Sequence, residues 1–135
     1  MTPLREPYLP HEFGRNETAS WYLSTGGLRR RLAIAARIAD TVTILHALAL
    51  AYVDLNPNNV MISEDLSRGE TWLIDTDNLT SMSTPTGNIL GLHGYIAPDR
   101  MLRQMPASTL AAAYSLAVLT FRLLVLNPLA AIAIR

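Results

Sequence analysis

Two polar turns, Asp54-Leu55-Asn56-Pro57-Asn58-Asn59 and Asp75-Thr76-Asp77-Asn78, enclose two short β-type runs, Val60-Met61-Ile62 and Thr71-Trp72-Leu73-Ile74. The stretch between the runs, Ser63 to Glu70, is polar and contains Gly69, which suits a hairpin connection. A hairpin returns the chain to the end it left. Both turns then lie at the same end of the strand pair, although Asp54 and Asp75 stand 21 positions apart (75 − 54). This arrangement constrains the fold more than any other feature.

The segments around this unit are mainly helical. From Leu28 to about Leu50, the residues Leu28, Leu32, Ala35, Ile38, Val42, Leu45 and Ala49 recur at threes and fours. Alanine is frequent there, and no glycine or proline intervenes. Residues 1–27 read as an irregular lead-in with Pro3, Pro7, Pro10 and Gly14, and at most a helical turn at Trp21–Leu23. Leu79 to Leu92, rich in Ser, Thr, Gly and Pro, reads as a long loop of the sort that often carries function. A helical turn is expected at Arg100–Met105. A second apolar helix is expected over Ser108–Leu126, with Ser108 or Thr109 as its N-cap. The fold class is α+β, mainly helical with a short hairpin.

Composition limits the functional classes. Half of the 135 residues are hydrophobic and 16% are charged, too apolar a mixture for a disordered chain. Basic and acidic residues balance at 11 each, so no net field favours nucleic acid or an anionic membrane. Arg29-Arg30-Arg31, at the start of the long helix, reads as a solvated helix end. There are no cysteines, which removes disulfides and thiolate metal sites, and His11, His46 and His93 are scattered. The N-terminal ten residues lack the apolar core of a signal peptide, and the expected setting is cytoplasmic. Leu110 to Ile134 is apolar enough to invite comparison with a membrane span. Arg122 near its middle and Asn127-Pro128 favour a helix buried in protein, and no membrane span is expected.

If the two turns meet, Asp54, Asn59, Asp75 and Asp77 converge. Carboxylates and an amide oxygen, without Cys or His, form a hard oxygen site suited to Mg²⁺ and phosphate rather than zinc. Asp and Asn in turns also cap their own backbone, so spacing alone leaves the turn-forming reading open.

Four segments in register resemble the protein kinase superfamily. Asp54 to Asn59 resembles the catalytic loop, in which Asp is followed five positions later by Asn. Leu73-Ile74-Asp75-Thr76-Asp77 resembles the strand entering the D-F-G turn. Gly94-Tyr95-Ile96-Ala97-Pro98-Asp99 resembles the segment closing the activation loop, and Tyr114 to Leu119 resembles the start of the buried helix after it. The resemblance spans roughly residues 28–126 and implies a C-terminal catalytic lobe of a divergent bacterial Ser/Thr type, with 127–135 as a truncated tail. It implies Asp54 as the catalytic base, Asn59 and Asp75 as nucleotide-side Mg²⁺ ligands and Met61 beneath the adenine, although ordinary strand packing also accounts for Met61; Asp77 reads either as a second acidic ligand or as a turn residue. Implied cofactors are ATP and Mg²⁺, and the implied partner is a protein with a Ser or Thr hydroxyl.

The departures are specific. Tyr52 and Val53 replace His and Arg, Asn56 stands where Lys reaches the transferred phosphate, and Thr76-Asp77 replace Phe-Gly. Ala112 falls where the buried helix carries an Asp, and Asp99 replaces Glu. All eleven basic residues are Arg, and no Gly-rich loop or Val-Ala-x-Lys strand precedes the long helix. The chain alone is therefore expected to have little phosphotransferase activity. A kinase-derived binding module and an aminoglycoside-phosphotransferase-like small-molecule kinase are the alternative readings.

Overall fold

The long helix forms the spine of the fold. The structure, a computed structural model, describes residues 1–4, 15–82, 91–103 and 108–125. Its elements in chain order are β1 (Thr2–Pro3), α1 (Arg15–Ser24), α2 (Gly27–Ala47), β2 (Leu50–Tyr52), β3 (Val60–Ile62), β4 (Thr71–Leu73), β5 (Leu79–Ser81), α3 (Pro98–Arg103) and α4 (Thr109–Leu124). One-turn 3-10 helices occupy Pro57–Asn59 and Thr76–Asn78. The architecture is α+β.

Helix α2 buries Ile34, Ala35, Ile38 and Val42, a stripe at helical spacing. Helix α4 buries Ala111, Ala112, Ser115, Val118, Leu119 and Leu123 on one face. The two helices pack together, and Leu55, Val60 and Tyr95 join the same core. Each fully buried aliphatic side chain there, such as Ile38, contributes on the order of 1.5–3 kcal/mol. Ser108 starts α4 with its hydroxyl accepting from the Ala111 N–H at 3.1 Å, as its N-cap role predicts.

Two small antiparallel ladders complete the frame. One has the order β1-β3-β4, with Val60 opposite Leu73 and Pro3 opposite Met61. The other pairs β2 with β5, with Tyr52 opposite Leu79. Gly69 lies where the hairpin meets α2. A Cβ there would stand 2.7 Å from the Ala33 Cβ and 3.2 Å from its carbonyl carbon, so this position must be a glycine for packing.

Several sequence expectations are corrected. The lead-in is not wholly irregular: Thr2–Pro3 is a strand, and α1 runs for ten residues. The long helix ends at Ala47, and Ala49 adopts a left-handed φ of 56° as the chain swings into β2. The loop expected from Leu79 begins as strand β5. At the start of α2, Leu28 and Leu32 are exposed, and Arg30 and Arg31 are buried in their place. The reason is α1, which meets that part of α2 and presents Trp21 and Tyr22 to Arg31. Among the described residues no helix is long and apolar enough to cross a membrane. The tail at 127–135 lies outside the described residues.

Candidate functional site

The two ladders fix the two polar turns against each other. Tyr52 is the last residue of β2 and Leu79 the first of β5, so their pairing holds both ends of the intervening chain together. Val60 and Leu73 do the same on the inner ladder. The turns at 54–59 and 75–78 are therefore adjacent. Two bonds cross between them. The Ile74 N–H donates to the Asn59 carbonyl at 3.0 Å, and the Tyr52 hydroxyl donates to the Ile74 carbonyl.

The first turn is built around Asp54. Pro57 sits at the first position of a 3-10 turn, where its missing N–H costs nothing. Asn56 caps that turn by accepting from the Asn58 N–H at 2.9 Å. The Asn56 amide nitrogen donates to the Asp54 Oδ1 at 2.6 Å, and that of Asn59 donates to Oδ2 at 3.0 Å and to the Asp54 carbonyl at 2.9 Å. The Leu92 N–H, 38 residues away, donates to Oδ1 at 3.0 Å. The three bonds to Oδ1 and Oδ2 fix the direction of the carboxylate. Because the Asn59 nitrogen faces Asp54, its amide oxygen faces away.

Asp75 differs from Asp54. It adopts the left-handed region with φ 64°, one of two non-glycine residues to do so among the described residues. Its carboxylate makes no capping bond to the following turn, and both Asp75 and Asp77 are exposed. Asn59 thus stands on one of the two neighbouring turns, and Asp75 and Asp77 stand on the other. Among the described residues no group of three or more His, Cys, Asp or Glu is placed to hold a metal. The donor set fits Mg²⁺, which takes one or two carboxylates and retains water or phosphate oxygens. It does not fit a closed all-protein cage.

Met61 occupies the middle strand of the three-stranded ladder, half-buried, between Pro3 and Trp72.

Four supporting residues were not legible as such in the sequence. Tyr52, read only as a lost His, fastens one turn to the other. Asn56, read as a lost Lys, is 2% exposed and orders Asp54. Leu92 reaches Asp54 through its main chain, which leaves no side-chain signature. Arg100, buried in α3, directs its Nη1 toward the Val53 carbonyl at 3.5 Å, beside the wall formed by Ala112. Burial pushes the Arg100 pKa down, and the neighbouring Asp99 carboxylate opposes that shift. The closing segment is anchored to α4 by Ser115, whose hydroxyl donates to the Tyr95 carbonyl at 2.7 Å.

No protein-family model matches the sequence.

Proposed function

We propose that this chain carries the hydroxyl-activating and metal-facing elements of a kinase-like phosphoryl-transfer site. The observation that supports it most is the juxtaposition of the two turns, secured by the Ile74 N–H to Asn59 carbonyl bond and by the two flanking ladders. In this reading Asp54 orients a Ser or Thr hydroxyl and takes its proton at a carboxylate oxygen, while Asn56 and Asn59 hold that carboxylate in direction. Asn59 and Asp75, with Asp77 beside them, hold Mg²⁺ on the phosphates of ATP. The bound metal neutralises phosphate charge. The chain's own part is positioning, which is the larger share of catalysis in this class of reaction.

A second reading, a nucleotide- or partner-binding module without turnover, is favoured by the Leu92 N–H. That donor occupies one side of the Asp54 Oδ1, an oxygen to which a substrate hydroxyl would have to donate.

Calorimetric titration with ATP tests the first reading. Affinity is expected to require Mg²⁺ and to fall about tenfold or more in both Asp75→Asn and Asn59→Ala, with the fold intact by circular dichroism. Equal affinity with and without Mg²⁺, or affinity indifferent to both substitutions, rules out a metal–nucleotide site at these turns.

A further inference from the structure

The start of α2 presents a second concave site, unrelated to the two turns. A cavity of about 300 Å³ lies between β1, the α1–α2 junction, α2, the β3–β4 connection and the end of α4. That volume is at the small end of the range for ligand pockets, roughly 300–1,000 Å³. Trp21, Ile34, Ile62 and Leu123 supply apolar wall, and Arg30 and Arg31 supply its cations.

Both arginines are more than nine-tenths buried, at 8% and 4% exposed. The Arg31 guanidinium stacks 3.9 Å from the Tyr22 ring centroid and 5.1 Å from that of Trp21. It donates through Nη1 to the Tyr22 carbonyl at 3.1 Å and the Gly27 carbonyl at 3.0 Å, and through Nη2 to the Thr25 hydroxyl at 2.7 Å. Arg30 donates to the carbonyls of Thr25 and Ser63. It folds over Gly26, where a Cβ would meet its Cδ at 2.6 Å and where φ is 97°. Both charges are thereby locked in place.

Among the described residues neither charge is neutralised, and no carboxylate pairs with Arg30 or Arg31. The acid in the cavity wall, Glu64, stands at the exposed rim and meets the Met1 ammonium at 3.5 Å. The Nε protons of both arginines are buried without a partner. A buried cation without a counter-ion is costly to the fold. Burial holds the Arg31 pKa down, and the neighbouring Arg30 charge adds to that shift against the opposing influence of Tyr22. An anion in the cavity would offset the buried charge of both arginines.

We propose that this cavity binds a monocarboxylate with an apolar tail or ring, its charge set against the Arg30 and Arg31 side chains in the wall and its apolar body lying against Trp21, Ile34 and Leu123. Five bonds from the Nη groups to main-chain carbonyls and the Thr25 hydroxyl hold the two guanidinium groups in place, and inorganic phosphate has no apolar body to set against the walls. The apolar walls leave no partner for the rest of a sugar or a nucleotide.

Trp21 provides the readout. The chain has two tryptophans, and Trp72 is 41% exposed on β4, so a Trp72→Phe background isolates Trp21 emission. The full chain in this background is titrated with octanoate, octanol, octylammonium and inorganic phosphate. Octanoate is expected to shift Trp21 emission saturably and to bind at least about tenfold more tightly than octanol. Octylammonium is expected not to bind, and phosphate not to displace octanoate. Arg30→Gln is expected to erase the octanoate preference while leaving octanol binding in place. If that variant fails to fold, the ligand series in the Trp72→Phe chain decides alone. Equal binding of octanol and octanoate reduces the site to an apolar cavity and overturns the proposal. So does displacement by phosphate, or an unchanged Trp21 signal with every ligand.

Discussion

The hydroxyl of Tyr52 donates to the main-chain carbonyl of Ile74, one residue ahead of Asp75. The bond ties the end of β2 to the end of β4, and so ties the turn that holds Asp54 to the turn that holds Asp75. Tyr52 is 2% exposed, so its ring belongs to the core while its hydroxyl serves the site. Tyr52→Phe keeps the ring and removes the tether. A stability loss of about 1 kcal/mol is expected, or roughly 3–5 °C in the melting midpoint. The Mg²⁺-dependent affinity for ATP is expected to fall further than this loss explains, because the turns lose their register. A variant with unchanged melting and unchanged affinity shows that the two ladders hold the turns without the bond.

Gly69 tests the packing of the hairpin on α2. A methyl group there meets the Ala33 Cβ at 2.7 Å, and main-chain atoms behind it prevent an easy retreat. Gly69→Ala is expected to cost about 1–3 kcal/mol by urea unfolding. Ala33→Gly in the same chain opens the space. It should return part of that loss, less about 1 kcal/mol for a glycine inside a helix. If Gly69→Ala is neutral alone, the hairpin does not press on α2 as closely as these contacts require.

The turn of the hairpin carries a pH-sensitive group. The Ser67 hydroxyl and the Ser67 N–H both donate to the Asp65 carboxylate, at 2.7 and 2.9 Å, and Arg68 lies 3.2 Å away. The Ser67 side chain is the largest cause holding the Asp65 pKa below the ordinary carboxylate range, followed by its main-chain N–H. A carboxyl depressed in the folded state contributes stability above its unfolded pKa and loses it as pH falls through the folded value. The Asp65 carboxyl-carbon shift should therefore titrate at lower pH than that of a free aspartate. Ser67→Ala should move it up more than Arg68→Gln does. The reverse ranking would mean that charge, and not the hydroxyl bond, sets the titration.

The regular elements were legible where the pattern was long or the turn chemistry explicit. The Ile34–Val42 stripe of α2, the Ser108 cap of α4 and the β3–β4 hairpin follow from periodicity and capping residues. The misses have local causes. β5 is three residues, Leu79-Thr80-Ser81, too short to alternate visibly, and its partner β2 is nearly thirty positions away. Helix α1 carries its apolar residues only at one end, so no stripe marks it. Arg30 and Arg31 look like a solvated charge run until Trp21 and Tyr22 arrive to stack on them. In the candidate site, Asp54, Asn59 and Asp75 are singled out by the motif resemblance, because their spacing alone also fits turn formation. The Leu92 N–H and the Tyr52 hydroxyl contribute through the main chain or through a tertiary tether, which side-chain identity does not encode.

Asp75 separates the turn-forming role of an acid from the ligand-binding one. Its φ of 64° is favourable for glycine and costs other residues on the order of 1 kcal/mol, with aspartate penalised least. An aspartate that earned this position by capping would show its carboxylate bonded to the following N–H groups, and Asp75 makes no such bond. Asp75→Gly is therefore expected to leave stability unchanged or to raise it by up to about 1 kcal/mol, while Mg²⁺-dependent ATP binding is lost. Asp75→Ala removes the same carboxylate but keeps the strained backbone, and should be the less stable of the two. Thermal melts of the three proteins, with and without Mg²⁺ and ATP, read both effects in one series, since a ligand that binds only the folded state raises the midpoint. If Asp75→Gly loses more than about 1 kcal/mol, the carboxylate is structural and the turn is no metal ligand. If it is stable and still gains Mg²⁺-dependent stabilisation from ATP, the nucleotide binds elsewhere.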